Sequence, residues 1–339
     1  MHQVLSEDAD RVLTKIDISK LQNKRVLITG ASGLVGVNLV SCMKKRADEL
    51  QIELWCWFRE EVSACFSDVF DGCRIIRGDI TDVAMFSDLP MFDYIIHSSG
   101  YAQPSKFLED KVKTIQLNTT STIFLLNKLN TDGTFLFVSS SEIYSGLDQH
   151  NINETQVGNT NTDHPRSCYI EGKRAGEAIC HAYIQRGQSV KIARLSSAYG
   201  AGTKKSDKRV LNTLIDRGLN ESAITLLDSG SAVRTFCYIS DVTEMLLNIM
   251  LHGKSTTYNV GGVYELSIYE LAKKIGFMLD KEVLAPVTSE YLAGNPKIVN
   301  VSIEKYSNEF GKKHSDFVRF DDGLRRTIDW QKQFSLYTT

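Results

Sequence analysis

The segment Arg25-Val26-Leu27-Ile28-Thr29-Gly30-Ala31-Ser32-Gly33-Leu34-Val35-Gly36 constrains this chain more than any other. Val26 to Ile28 read as a buried strand, and glycines follow at 30, 33 and 36. Leu34, Val35, Val37, Leu39, Val40 and Met43 then recur at helical spacing. A strand, a glycine turn and a helix in that order answer one physical problem, that of holding a pyrophosphate. The helix N-terminus offers unpaired N–H groups and the positive end of its dipole. Gly30 serves the tight turn, Gly33 lets the backbone approach the phosphates, and Gly36 lets helix and strand pack closely. The segment predicts a dinucleotide site, with Ser32, Leu34 and Val35 beside the three glycines.

Strand and helix signals alternate from there to about residue 200, which predicts an α/β fold with a doubly wound parallel sheet. The second strand, Ile52 to Phe58, ends at Arg59-Glu60-Glu61. An acidic residue at such a tip suits the ribose hydroxyl of NAD, and an arginine suits the phosphate of NADP. With Arg59 and Glu60 both present, cofactor choice stays open, NAD being favoured by the chemistry below and NADP not excluded. After the third strand, Asp79 either accepts from the adenine amino group or forms an Asx turn, with Ile80 beside it. The fourth strand, Phe92 to His97, runs into Ser98, a small residue against which a cofactor can lie. His97 is expected to make a local hydrogen bond. One helix is predicted through Val112, Ile115, Asn118, Ile123 and Leu126, with a polar task for Asn118. The fifth strand, Thr134 to Val138, leads to Ser139-Ser140-Ser141-Glu142, at the strand end where open α/β sheets bind ligands. Residues 146 to 166 read as a long polar loop. Tyr169 and Lys173 then lie four apart on one helical face. Past residue 200, shorter elements take over, beginning with a flexible basic loop at Gly200 to Lys205.

Serine on a strand end, with tyrosine and lysine four apart on the next helix, makes a proton-transfer device. A free tyrosine is a poor base near neutrality. A neighbouring ammonium favours its phenolate, which can take a hydroxyl proton as hydride leaves the same carbon. Ser140 would hold that hydroxyl in line.

These segments resemble the extended short-chain dehydrogenase/reductase family, the NAD-dependent epimerases and dehydratases of nucleotide-sugars. The likeness covers nearly the whole chain and rests on Thr29 to Gly36, Ser139 to Tyr144 and Tyr169 to Lys173. It implies a Rossmann-type domain over 24–200, a smaller C-terminal substrate lobe over 201–339 and a helical extension over 1–23, with some exchange of segments between lobes. It implies Ser140, Glu142, Tyr169 and Lys173 as catalytic residues, and Tyr101, Ser141, Ser197, Arg209 and Arg234 as substrate contacts. Arg234 is expected to clamp the diphosphate. A homodimer through the helices bearing Asn118 and Tyr169 is also implied.

Within the family, Arg166-Ser167-Cys168-Tyr169 followed by Glu171-Gly172-Lys173-Arg174 is similar to the R-S-C-Y-D-E-G-K-R segment of UDP-glucuronate decarboxylases. That similarity implies transient oxidation at sugar C4, loss of CO2 from a carboxylate β to the new ketone, and reduction to a UDP-pentose. Glu142 would orient substrate or assist proton handling at C5. A 4,6-dehydratase of a nucleotide-hexose is the alternative, followed by a 4-epimerase or an NADPH-dependent reductase. Three positions depart from the family pattern. Ser197 stands for the usual asparagine, Arg59 for the acidic strand tip, and Ser99 to Pro104 for a run rich in alanine and proline.

Composition excludes other classes. A net charge of −2 with no basic run argues against nucleic acid or an anionic membrane as partner. No apolar run approaches the length of a bilayer span, and the acidic N-terminus lacks the apolar core of a signal peptide. Seven scattered cysteines without C-x-x-C indicate neither a zinc site nor a disulfide framework. A cytoplasmic enzyme without a metal is the expectation.

Overall fold

Apolar residues alternate along the first strand, with Val26 and Ile28 on one face and Leu27 on the other, and both faces are buried. A strand apolar on both sides belongs in a sheet covered by helices on each face, and the computed structural model has that architecture. It describes residues 2–147, 149–286 and 298–334. The strands are β1 (Arg25–Thr29), β2 (Glu53–Phe58), β3 (Arg74–Arg77), β4 (Phe92–His97), β5 (Leu129–Ser140), β6 (Ser189–Leu195), β7 (Ser197–Tyr199), β8 (Ala223–Thr225), β9 (Val233–Tyr238), β10 (Thr257–Val260), β11 (Tyr264–Ser267), β12 (Glu282–Leu284) and β13 (Ile298–Val299). The helices are α1 (Gln3–Leu13), α2 (Leu34–Leu50), α3 (Ser67–Phe70), α4 (Pro104–Glu109), α5 (Lys111–Asn118), α6 (Thr120–Leu126), α7 (Ser167–Gln185), α8 (Val210–Asn220), α9 (Ile239–His252), α10 (Ile268–Leu279), α11 (Glu304–Phe310) and α12 (Phe320–Phe334).

Seven parallel strands form the large sheet in the order β10-β6-β5-β4-β1-β2-β3. Residues of α1, α2 and α9 cover one face, and residues of α5, α6 and α7 cover the other. The order reverses beside β1, so the carboxyl ends of β1 and β4 open a crevice for a ligand. A second sheet is formed by β11, β9 and β13, with β7 also paired to β9, and β8 and β12 make a separate pair. α9 and β10, both within 201–339, return to the large sheet, where β10 pairs with β6.

The helix read through 112–126 is two helices, α5 and α6, that meet at Thr119 (φ −113°, ψ −72°). The cause is local. Asn118 Nδ2, Thr119 Oγ1 and Thr122 Oγ1 each donate to the carbonyl four residues back, at 2.8, 2.9 and 2.8 Å, and such back-bonding bends helices. β5 begins five residues earlier than read, with an irregular register where Phe92 and Tyr94 face Leu129 and Thr134. The polar loop over 146–166 is pinned at Ile152, which is buried, bridges to Val301 and takes a hydrogen bond from Ser302 N at 2.9 Å. The N-terminal helix α1 buries Leu5, Ala9 and Val12. Its buried Asp8 accepts from Tyr238 Oη at 2.8 Å and lies 3.0 Å from Arg326 of α12. Among the described residues, no helix is long and apolar enough to cross a membrane, and no group of three His, Cys, Asp or Glu side chains could hold a metal ion.

Candidate active site

The glycine segment takes the geometry a pyrophosphate needs. Gly30 has φ +66°, and a Cβ there would lie 2.8 Å from the Ser98 carbonyl oxygen. A Cβ on Gly36 would lie 2.4 Å from the Gly30 carbonyl oxygen, so the first turn of α2 packs against the loop backbone. Gly33 caps α2 and has no side chain to satisfy the helix's first N–H groups. Ser98 Oγ donates to Thr29 O at 2.6 Å, joining the ends of β1 and β4 under the loop. Asn118, packed beside Gly172 of α7, is fully buried, and its Oδ1 has no hydrogen-bond partner among the described residues. A buried acceptor with no donor calls for a ligand or a water. An uncapped helix start, a close backbone approach and an orphaned acceptor together fit a bound dinucleotide.

Other residues assigned to the cofactor side have protein partners. Asp79 Oδ1 accepts from Thr81 N and Oγ1 at 3.0 and 2.8 Å, an Asx turn, and its Oδ2 pairs with Lys113. Ile80 is buried, and its carbonyl accepts from Ser121 Oγ at 3.0 Å. Arg59 is ion-paired with Glu60. His97 Nδ1 lies 2.8 Å from Thr29 Oγ1 and Nε2 lies 3.0 Å from Leu117 O, the local bonding read from sequence. Burial and the Lys173 charge push its pKa down to about 3, so the ring is neutral and structural.

Ser140, Tyr169 and Lys173 converge on a cavity of about 550 Å³, lined also from α8 and β9. Tyr169 is buried and stacks on Phe107 of α4 (ring centroids 4.8 Å apart, planes at 11°), with the Ser140 hydroxyl acting on its phenol. Burial pushes its pKa up to about 12, while the Ser140 hydroxyl opposes that rise. Lys173 Nζ donates to Val138 O at 2.7 Å and lies 5.9 Å from the Tyr169 ring centroid. Burial lowers its pKa to about 8, against the field of Glu177. Ser140 Oγ also accepts from Glu142 N at 3.2 Å, which turns the chain at the end of β5.

Glu142 does not stand alone. Its Oε1 takes a hydrogen bond of 2.5 Å from Arg166 Nη2, across 24 residues of sequence, while Oε2 is buried with no hydrogen-bond partner among the described residues. Arg166 rests over the Phe107 ring at 5.3 Å, so Phe107 supports both Tyr169 and Arg166. Arg234, on β9, lies in the fields of Glu142 and Arg166, and burial lowers its pKa. Arg209 is held by Asp207 at 2.6 Å. The lining includes Lys173, Lys208, Arg166, Arg209, Arg217 and Arg234 against the carboxylates Glu142 and Asp228. Six cations facing two carboxylates suit a polyanionic ligand.

Ser141 and Ser197 also line the cavity. Tyr101 does not. Its Oη accepts from Arg59 Nη1 at 2.7 Å, at the tip of β2, because the Arg59 guanidinium reaches it first. The sequence reading missed Phe107 and Arg217, which carry no motif, and Arg166, which the R-S-C-Y segment contained.

The sequence profile of the NAD-dependent epimerase/dehydratase family matches residues 26–261. UDP-glucuronic acid decarboxylase 1 of Danio rerio is 31% identical over 265 residues, covering 76% of this chain and 61% of that protein. UDP-glucuronic acid decarboxylase 2 of Arabidopsis thaliana is 32% identical over 266 residues, covering 77% and 58%. The aligned part is thus about three-fifths of the length of these curated relatives. The Bordetella bronchiseptica enzyme WbmF, solved in complex with NAD+, superposes with a TM-score of 0.72 at 25% identity, covering 94% of this chain and 96% of that one. With its glycine loop, its Ser140–Tyr169–Lys173 constellation and a family profile over residues 26–261, the chain belongs to the NAD-dependent epimerase/dehydratase family, and NAD is its cofactor.

Proposed function

We propose that the protein is a lyase that decarboxylates UDP-glucuronate to a UDP-pentose, using NAD that is oxidised and reduced within one turnover. One observation carries this reading. The guanidinium of Arg166 stands at the reacting end of the cavity, on Glu142 and beside Tyr169, with Arg234 in the same field. A sugar bearing a carboxylate gains from two guanidinium groups there, whereas a neutral hexose does not. Dehydration of a hexose needs an acid at the departing hydroxyl. Ser141 offers none, and Glu142 is already ion-paired. The decarboxylase names of relatives about 30% identical support the same reading.

The Gly30–Gly36 loop and the start of α2 would hold the pyrophosphate, and Lys173 would grip the nicotinamide ribose. Bound NAD supplies reversible two-electron oxidation at sugar C4. Tyr169 Oη takes the C4 hydroxyl proton, which Ser140 Oγ holds in line. Its pKa, pushed up to about 12 by burial, must fall for this, and the Lys173 charge and a cationic ring favour that fall. Once C4 is a ketone, the C5–C6 electron pair delocalises into its carbonyl and CO2 departs. Arg166 and Arg234 hold the carboxylate until then. Glu142 orients Arg166, and a water molecule from solvent gives C5 the proton that replaces CO2. Tyr169 returns its proton as C4 is reduced.

Mass spectrometry of the purified protein incubated separately with UDP-glucuronate, UDP-glucose, dTDP-glucose and GDP-mannose tests the reading. The expected result is a UDP-pentose and CO2 from UDP-glucuronate alone. Loss of water from a hexose, with glucuronate untouched, would replace it with the 4,6-dehydratase.

The apolar side chains Leu108, Val112, Ile115 and Ile123 on α4 to α6 are exposed, Val112 by 68%. We read this face as the meeting surface of a homodimer. Light scattering should give twice the chain mass, and a monomer for Val112→Glu. Seven free cysteines, five of them buried, suit a reducing, cytoplasmic setting.

A further inference from the structure

The crevice between the carboxyl ends of β1 and β4 is crossed by chain from the far half of the sequence. Residues 201–203 are pressed onto the start of α2. Asn38 Nδ2 donates to Ala201 O at 2.9 Å, and Trp330 Nε1 of α12 donates to Thr203 O at 2.8 Å. A Cβ on Gly202 would stand 2.7 Å from Val37 Cγ1. The basic stretch read as flexible is therefore anchored at its start. The chain is fixed again just ahead of α8. Arg209 donates from Nε and Nη2 to the Asp207 carboxylate and from Nη1 to Ala198 O, the last at 3.3 Å.

Between these anchors Lys204, Lys205, Ser206 and Lys208 are exposed. Among the described residues, two hydrogen bonds tie this span to the banks of the crevice. Lys204 Nζ donates to Ser32 Oγ of the glycine loop, after β1, at 3.2 Å. Lys208 N donates to Gln103 Oε1, after β4, at 3.0 Å. Gln103 is the N-cap of α4, yet its side chain makes no capping bond there and serves residue 208 instead. Ala102 and Pro104 beside Gln103, and Lys208 and Arg209 on the span, line the same cavity. The crossing therefore stands at the edge of the candidate active site. Lys204 is poorly matched as it stands. A cation at a helix N-terminus meets the positive end of the dipole, Ser32 Oγ is neutral, and the fields of Glu60 and Arg59 act on Lys204 with opposite sign. An anion seated in the glycine loop removes that conflict.

We propose that residues 204–208 are a strap that closes over NAD, so that the cofactor enters and leaves only when the contacts to Ser32 and Gln103 open. The proposal rests on NAD as cofactor and goes beyond the decarboxylase reading, because a retained dinucleotide serves any reaction that oxidises and then reduces the same sugar. A single hydrogen bond contributes little net stability, so closure is reversible, while the anchors at 201–203 and 207–209 return the span to one place. Gln103 is a positioning residue that acts through the strap. Lys204 has two parts, one in holding the strap down and one in facing the pyrophosphate.

Exchange of bound NAD+ tests this. Protein loaded with NAD+ is chased with excess etheno-NAD+, whose fluorescence reports exit, and entry is timed on nucleotide-free protein. Gln103→Ala should speed entry and exit alike, each about threefold to tenfold, with affinity nearly unchanged, as removal of a gate requires. Gln103→Glu keeps an acceptor for Lys208 N and should exchange like wild type. Lys204→Ala should speed exit more than entry, because the pyrophosphate loses a cation as well. Thermal melts establish that each variant is folded, and the exposed Lys204 side chain can be removed without loss of packing. Wild-type exchange in both alanine variants would overturn the strap, as would Gln103→Glu exchanging as fast as Gln103→Ala. So would a Gln103→Ala protein in which exit alone is faster, since that is a weakened site and not an opened gate. Product analysis with UDP-glucuronate reads the decarboxylase proposal separately, and neither outcome there bears on the strap.

Discussion

Helix α7 buries two ionisable side chains one turn apart, Lys173 and Glu177, and their surroundings differ in kind. Glu177 is saturated. It accepts from Ser139 Oγ at 2.5 Å and from Arg194 Nη2 at 2.8 Å, and Arg194 Nη1 donates in turn to Tyr144 Oη at 2.9 Å and Glu154 O at 2.9 Å. Tyr144 Oη donates to Asn259 Oδ1 at 2.7 Å, which ties β10 to the end of β5. Among the described residues Lys173 makes one hydrogen bond, to Val138 O, while Asn118 Oδ1 and Glu142 Oε2 make none. A buried polar network that satisfies every member holds a structure together, and one with vacancies is built for something that comes and goes. Under the proposed mechanism Glu177 belongs to the fold and Lys173 to the reaction, although the same helix carries both.

The contrast is sharpest at Tyr169. Tyr169→Phe removes one oxygen from a stacked, buried ring, so the melting temperature should stay close to wild type. Turnover should fall by roughly 10²- to 10⁴-fold, the range for loss of a positioned proton carrier. Full activity in this variant would sink the assignment of the base. Glu177→Ala should do the reverse. It leaves Arg194 buried without its carboxylate, and breaking such a pair costs about 3–5 kcal/mol. Urea unfolding measures that loss, and an unchanged midpoint would place Glu177 outside the structural class.

The smallest effect is also the most specific. Burial holds the Lys173 pKa at about 8 in the folded protein, below its ordinary 10.5. Between those values the unfolded chain binds more protons, so this residue's contribution to stability rises with pH through the window and is lost as pH falls through about 8. Stability measured from pH 7 to 10 should therefore climb more steeply in wild type than in Lys173→Met. The difference should approach roughly 3 kcal/mol, and parallel curves would contradict it.

Much of this was legible in the chain. The glycine segment, Ser140, and the pair Tyr169–Lys173 carry local signatures, because a helix start and an i, i+4 pair are fixed by nearby residues. Glu142–Arg166 and Asp79–Lys113 were not legible as pairs. Their members lie 24 and 34 residues apart, and only the packing of α7 and α5 brings them together. The break at Thr119 arose from side-chain hydrogen bonds that compete with helix continuation, invisible to a count of apolar spacing. Lys204 was noticed only as part of a basic loop. Its position over Ser32 depends on Trp330, more than a hundred residues away.

The pairing of β10 with β6 also governs how the chain can be made. Synthesis proceeds from the N-terminus, so six strands of the large sheet emerge before the seventh, and β6 waits for residues 257–260. In that interval the backbone of Ile192, whose N–H later donates to Thr256 O at 2.8 Å, sits on an open sheet edge. Such edges recruit strands from other chains. A fragment cut at residue 200, however complete its glycine loop, is thus expected to aggregate, and a fragment reaching past α9 and β10 is the shortest that covers β6 and completes the seven strands.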